Sequence, residues 1–279
     1  MNTGKINKLS TLTSKIQAAT PICTESMLMH YLEYVRQATN AANVSWFAGY
    51  QGRYANELWK AELLDGWKIM EHVMLEIPVE IVKPDKVMSS EEAQTEYFKK
   101  AEKEYYEKAS ERGVDPMTQH IINSAGQTRT HRIIDIEVDL SEHWVKTEYR
   151  SSLGVGDRMT GVFNLDAEAE SYLIVDRALG DEPFSQDNEN ELYRCLVEFP
   201  RVHDWLFLER GLLAEHKNPL SPRHRQLIPM LLAGMSEKDI ASEIGRAFGT
   251  THNYISDIYD IYAVKSRAEL SSLWIRDLK

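Results

Sequence analysis

From Leu220 onward, apolar positions fall at helical spacing in four short runs, each opened and closed by residues that suit helix ends. In the first, Ser221 suits the N-cap and Pro222 the first helical position, Leu227, Met230, Leu231 and Leu232 form the stripe, and Gly234 ends it. Pro229 lies within this run, removes a backbone donor and predicts a kink. Ser236 and Asp239, three apart, open a second helix that turns Ile240, Ala241 and Ile244 inward, and Gly245 makes the turn after it. A third helix is predicted over Phe248 to Tyr262, buried along Ile255, Ile258, Tyr259 and Tyr262. Ser266 with Glu269 opens a fourth, carrying Leu270, Leu273 and Trp274.

The preceding two-thirds mixes both periods. Residues 25–42 have helical spacing through Met27, Leu28, Tyr31, Leu32 and Val35, whereas 43–51 and 67–82 suit strands. Residues 90–112 predict a highly charged helix closed by Gly113, and Asp115-Pro116 a turn into a short helix over 117–122. THRIIDIEVD (130–139) is expected to be a strand. Arg158–Leu165 and Glu170–Arg177 read as antiparallel strands, with Asp166, Glu168 and Glu170 at an exposed hairpin tip. A long helix from Ser185 to Leu213 follows, which Pro200 should break or kink. Its Leu192, Leu196, Val202, Trp205, Leu206 and Leu208 suit either a dimer contact or packing on the sheet, and His203-Asp204 reads as a surface pair. The pattern predicts an α+β fold: residues 1–214 as an antiparallel sheet with flanking helices, then the short linker Glu215-His216-Lys217-Asn218-Pro219 into an all-α four-helix domain over 215–279.

Length and charge refine this picture. At 279 residues the chain can hold two domains, and no run of eighteen apolar residues is present to span a bilayer. The start, MNTGKINKLSTLTSKIQ, lacks the apolar stretch of a signal peptide, which with two unclustered cysteines (Cys23 and Cys195) predicts a cytoplasmic protein. Net charge is −11, with residues 1–219 at −12 and the remainder at +1, so an acidic body would either confine nucleic-acid contact to the C-terminal helices or serve only solubility. No catalytic or metal-ligand spacing is found among the nine histidines, and Gly154, Gly156 and Gly161 fit a strand-entry turn rather than a phosphate cradle. The chain is therefore read as no enzyme, with no metal and no cofactor.

LSPRHRQ, GMSEKDIASEIG, GTTHNYISDIY and VKSRAEL stand in order without a gap over about sixty residues, and in this the C-terminal segment resembles the LuxR-type (FixJ or NarL-type) helix-turn-helix of bacterial transcription regulators. The resemblance implies that the third helix enters the major groove of double-stranded DNA. Thr250, His252, Asn253 and Ser256 would then face base edges or phosphates, Tyr254 the sugar-phosphate backbone, and Lys238, Lys265 and Arg267 the phosphates, while Arg246, at a turn position where relatives have a buried aliphatic residue, would either snorkel outward or contact a phosphate as well. His252 stands where many relatives have lysine, and Asp257 and Asp260 put carboxylates on the same helix, so modest affinity that depends on dimerisation is expected. A degenerate module that contacts protein instead of DNA is the alternative reading.

GVGDRMTGVFNLDAEAESYLIVDRA followed by DEPFSQDNENELYRCLVEF gives strand, hairpin, strand, PFS and a helix, which resembles the closing half of a GAF domain. That resemblance implies a GAF/PAS-like sensor or dimerisation domain, whose sheet can hold a small molecule of unidentified kind near Trp46, Tyr50, Trp67, His72, Trp144 and Tyr149. The Trp and Asp pattern of acyl-homoserine-lactone receptors is not in register, nor are the acidic pair and lysine of receiver domains. Together the two resemblances imply a homodimer that binds DNA, engages RNA polymerase and has no membrane partner.

Overall fold

The computed structural model describes residues 3–51, 61–62, 67–75, 82–83, 86–87, 91–136, 140, 142–213 and 219–275. In chain order the elements are α1 (Thr3–Gln17), α2 (Thr24–Thr39), β1 (Asn43–Gln51), β2 (Ala61–Glu62), β3 (Trp67–Met74), β4 (Val82–Lys83), β5 (Lys86–Val87), α3 (Glu91–Arg112) and α4 (Pro116–Asn123). There follow β6 (Arg129–Arg132), a 3-10 turn (Ile133–Asp135), a π-helical segment (Val145–Arg150), β7 (Val155–Asp166), β8 (Ala169–Ala178), α5 (Gln186–Glu198), α6 (Pro200–Glu209), α7 (Pro222–Leu232), α8 (Glu237–Glu243), α9 (Phe248–Ile261) and α10 (Arg267–Leu273). The fold is α+β, and its described residues fall into two compact units. One is drawn from residues 32–198; the other joins 3–31 to 199–213 and 219–275.

The first unit is built on an antiparallel sheet in the order β2-β3-β1-β8-β7-β6. Strand residues alternate between its faces. On one face, Trp46 donates its indole N–H to Ser171 at 2.8 Å, and α5 lies directly over β7. At Gly161 a Cβ would meet Leu192 Cγ and Leu196 Cδ1 at 3.1 Å, so the helix approaches closely because that position has no side chain. The apolar residues of α5 thus pack on the sheet. The opposite face carries Phe47, Thr160, Tyr172 and Ile174 and is covered by α3, α4 and the π-helical segment.

THRIIDIEVD is not one strand. Pairing with β7 stops at Arg132; the chain then turns through Ile133–Asp135, held by the Ile136 N–H to Ile133 C=O bond at 3.1 Å and the Arg132–Asp135 ion pair at 2.9 Å. Half-buried Ile133 and buried Ile136 pack against Met117, Ile121 and Val162, while Ile134 between them stays 72% exposed, so the turn brings two of its three isoleucine positions to the core without continuing the ladder. Residues 137–139 of this segment lie outside the described residues.

Glu170 also departs from expectation. It is fully buried rather than exposed at the hairpin tip, and its carboxylate accepts from both terminal nitrogens of Arg129 (2.7 and 3.0 Å), the Gly126 N–H (2.8 Å) and the Tyr172 hydroxyl (2.6 Å). Asp166 does sit at the tip, where its Oδ1 accepts the Glu168 N–H at 2.8 Å.

In the second unit, Pro200 opens α6 at its first helical position, and α6 is gripped by the C-terminal helices. Trp205 donates its indole N–H to the Trp274 carbonyl at 3.1 Å, the Tyr262 hydroxyl donates to the Leu208 carbonyl, and the Leu220 N–H to the Arg210 carbonyl at 2.9 Å. Arg210 is fully buried among Glu25, Glu209 and the Leu206 carbonyl. His203 is buried too, with Nε2 3.2 Å from the Tyr31 hydroxyl, so His203-Asp204 is not a surface pair: an amphipathic reading of α6 fails because this helix is covered nearly all round. The linker residues 215–218 lie outside the described residues.

Burial pushes the Asp204 carboxyl up to about 6. An unfolded aspartate titrates near pH 3.9, so the folded state binds the proton more tightly, and the cost of ionising Asp204 is absent below about pH 4 and complete above pH 6. Asp204→Asn is therefore expected to stabilise the protein at pH 7.5, by no more than roughly 3 kcal/mol before screening by water. At pH 4 the two proteins should melt alike, which paired thermal melts would check.

Candidate functional site

Two surfaces carry candidate chemistry, one in each unit. In the helical unit, the helix ends form as their residues dictate. Ser221, Ser236 and Ser266 each accept a backbone N–H of the following turn, from His224, Asp239 and Glu269, at 3.2 Å. Gly234 and Gly245 take φ of +79° and +62°, the left-handed region that ends a helix at little cost to glycine. Helix α7 runs through Pro229, which has no N–H to offer the preceding turn.

The third of these helices, α9, buries Thr251, Ile255 and Ile258, with Tyr262 at its C-cap. Thr250, His252, Asn253, Asp257 and Asp260 are exposed on the other side, while Tyr254, Ser256 and Tyr259 are half-buried. Lys238, Arg246 and Lys265 are exposed and Arg267 is half-buried. Unlike α7, α8 and α10, α9 begins without a side-chain cap: Ala247 stands at its N-cap, so its first N–H groups keep their capacity for an outside acceptor. Phe248 is 56% exposed there and stacks on the His252 ring, with centroids 6.4 Å apart.

Charge on this face is mixed. His252 Nδ1 lies 3.0 Å from Glu237 Oε2, and His224 Nε2 lies 3.7 Å from Asp257. Burial holds the His224 imidazole below its ordinary range against the pull of Asp257.

In the α/β unit, the sheet face opposite α5 bounds a cavity of about 120 Å³, measured over the centres of water-sized spheres. A single water needs roughly 10–15 Å³ on that measure, so the space suits a small organic molecule. Its walls are chiefly aromatic and aliphatic, with Phe47, Tyr105, Tyr106, Tyr149, Ile121, Ile174 and Leu140 among them. Asp115, Thr118, Arg150, Arg158 and Thr160 supply the polar groups.

Most of these polar groups are engaged. The Asp115 carboxylate caps α4, accepting from the Met117 and Thr118 N–H groups (3.0 and 3.1 Å), the Thr118 hydroxyl (2.6 Å) and the Tyr105 hydroxyl. Burial, then the adjacent Asp115 charge, raises the Tyr105 phenol well above its ordinary range, so it remains a donor. Arg158 holds Asp176 in a two-pronged pair at 2.7 and 2.9 Å. Arg150 is different: it is 4% exposed, its Nε has no hydrogen-bond partner, and it forms no ion pair among the described residues. Burial and then the charge of Arg158 lower its pKa from the ordinary arginine value. Thr160 Oγ1, also on the cavity wall, is buried without a partner.

Of the six aromatic and histidine positions singled out in the sequence, Tyr149 lines the cavity. Trp144 lies beside it, its ring 5.3 Å from that of Tyr105. Trp46 and Tyr50 occupy the opposite face of β1, because they fall out of phase with Phe47. Trp67 is buried at the start of β3 outside the cavity wall, and the His72 backbone pairs with that of Phe47. Arg150 and Thr160 were not legible in advance: each needs the tertiary fold to bring it to the cavity.

No family profile matches the chain. A protein of Bacillus subtilis (strain 168), named as the uncharacterized transcriptional regulatory protein YvfU, is 25% identical over 167 residues, spanning 53% of this chain and 79% of that protein. GfsR of Streptomyces halstedii, named as a probable HTH-type transcriptional regulator, is 38% identical over 56 residues; the match spans 20% of this chain and 23% of that protein. Both relatives are thus named as regulators and neither as an enzyme. Among solved structures, SdiA in complex with octanoyl-rac-glycerol is similar over 98% of this chain and 95% of that one, with 13% identity and a TM-score of 0.45. Among the described residues no helix is long and apolar enough to cross a membrane.

Proposed function

We propose that the chain is a DNA-binding transcription regulator of the LuxR type. Residues 215–279 would read DNA, and residues 1–214 would form a GAF/PAS-like sensor domain that takes a small molecule in its cavity and pairs with a second copy. The observation that carries this reading is the state of α9: Thr250, His252 and Asn253 are open to solvent while Thr251, Ile255 and Ile258 anchor its other side. The uncapped start of α9 adds N–H donors suited to a phosphate. Asn253 is the residue placed to pair with an adenine edge, and Lys238, Arg246, Lys265 and Arg267 are placed to neutralise phosphates. A dimer would present two copies of α9 to successive major grooves, and ligand binding would bias their spacing. Such a protein works in the cytoplasm and, as a regulator, beside RNA polymerase.

Selection of binding sites from random duplexes, followed by gel shifts over a range of salt, tests the proposal. Asn253→Ala is expected to lose discrimination at one position by about 5- to 150-fold, equivalent to about 1–3 kcal/mol. Lys265→Ala should weaken binding to all sequences alike and lower the salt slope by about one. The exposed carboxylates of Asp257 and Asp260 favour one competing reading, in which the same helices contact a protein instead. Absence of salt-dependent duplex binding, together with a stable protein complex lost in Asp257→Lys, would favour that alternative.

A further inference from the structure

We infer that the cavity of the α/β unit selects a small molecule with an anionic group, a carboxylate, on an apolar aromatic or short aliphatic body, and that Arg150 is its counter-charge. The inference rests on the sensor reading of this same cavity and specifies its ligand class.

A buried guanidinium without a partner is costly, since it gives up hydration and receives no compensating charge. This fold otherwise avoids the situation: Arg129 faces Glu170, Arg158 faces Asp176, and Arg210 faces Glu25 and Glu209. Arg150 is as deeply buried, yet it makes no ion pair or hydrogen bond through its side chain among the described residues. The nearest acids are already committed. Asp115 caps α4, Asp176 is held by Arg158, and Asp157 accepts the Phe184 N–H at 2.8 Å. The vacant charge lies on the wall of a cavity large enough for a small organic molecule, with the unpartnered Thr160 hydroxyl on the same wall. Two polar groups lacking partners, one a cation, in an otherwise apolar chamber define a complement: an anion bearing a second hydrogen-bonding atom. The aromatic rings of Phe47, Tyr105 and Tyr149 would receive its body.

The test uses the full chain and matched pairs of probes, phenylacetate with phenylacetamide and octanoate with octanamide. Binding is read by isothermal calorimetry and by the shift in thermal melting. At least one acid should bind about 30-fold or more tightly than its own amide, and Arg150→Met should abolish that preference. Arg150→Lys should restore part of it. Without any probe, Arg150→Met should melt no lower than the native protein, because removing an unpaired buried charge removes a cost. Acids and amides binding equally well in both proteins would overturn the anionic class while leaving the sensor reading intact. No melting shift with either acid, combined with a lower melting temperature for Arg150→Met alone, would overturn the inference by making Arg150 a structural residue. The DNA-reading proposal is judged separately, by Asn253→Ala.

Discussion

Replacing Glu170 with leucine is expected to destabilise the α/β unit by about 3–5 kcal/mol, the range found when one partner of a buried ion pair is removed. The reason is what remains. Arg129, 7% exposed, would keep its bonds to the carbonyls of Gln127 (2.7 Å) and Ile121 (2.6 Å) but lose both bonds to the carboxylate, leaving its charge uncompensated. The Gly126 N–H and the Tyr172 hydroxyl would lose their acceptor in the same stroke. Removing the charge as well should reverse much of this, so the double variant Arg129→Met with Glu170→Leu should recover at least half the loss. Urea unfolding followed by tryptophan fluorescence would measure both. Equal midpoints for the single and double variants would mean that the pair does not hold β6 to β8. Tyr172 lines the cavity, so if that cavity holds a small molecule, a lesion at Glu170 should also weaken its binding, although Glu170 does not line the cavity itself.

Glu170 also marks where the sequence stopped being informative. Its neighbours Asp166 and Glu168 do lie at the hairpin turn, and local spacing is enough to place them. Glu170 differs in having partners 41 and 44 residues earlier in the chain, Arg129 and Gly126, which spacing cannot reveal. The same holds for His203, whose partner Tyr31 is 172 residues away, and for Arg150, whose isolation depends on Asp115 and Asp176 being committed elsewhere. Helix ends, by contrast, were legible because their chemistry lies within one turn. Ser221, Ser236 and Ser266 cap as expected, Asp115 caps the short helix that its turn with Pro116 introduces, and Gly113, Gly234 and Gly245 take positive φ. The polar composition of α1 conceals it, although Leu9, Leu12 and Ile16 fall at helical spacing and the last two are buried.

The cavity candidates divide for a related reason. An aromatic residue in a strand points to one face or the other according to phase, and the phase of β1 is set by its partners on both sides. Trp46 and Phe47 are adjacent in sequence yet serve different layers, the first against Ser171 and the second on the cavity wall. Composition can propose that an aromatic-rich strand borders a pocket. It cannot say which of two neighbouring rings does so.

A fragment beginning at residue 215 is expected to be far less stable than one beginning at 199, even though both contain α7 to α10. The helices after Leu220 are fastened to α6: the Tyr262 hydroxyl to the Leu208 carbonyl, the Trp274 carbonyl to the Trp205 indole, and Leu220 to Arg210. Cutting at 215 deletes all three partners and exposes Tyr262 and Trp274, which are 5% and 4% exposed in the whole chain. Each lost hydrogen bond is worth about 1 kcal/mol, and re-exposing each large aromatic about 2 kcal/mol. The total is comparable to the entire folding free energy of a small domain, which starts near 5 kcal/mol. The shorter fragment should therefore show weak, non-cooperative helicity by circular dichroism at 25 °C, and the longer one, although it lacks the residues 3–31 that pack on α6, more helix and a higher melting temperature. Indistinguishable melts would mean that α6 does not support α9 and α10. If α9 reads DNA, duplex binding should follow the same division: it survives in the fragment that keeps α6 and collapses in the one without it, because an exposed recognition face is useful only while Ile255, Ile258 and Tyr262 hold the other side of the helix in place.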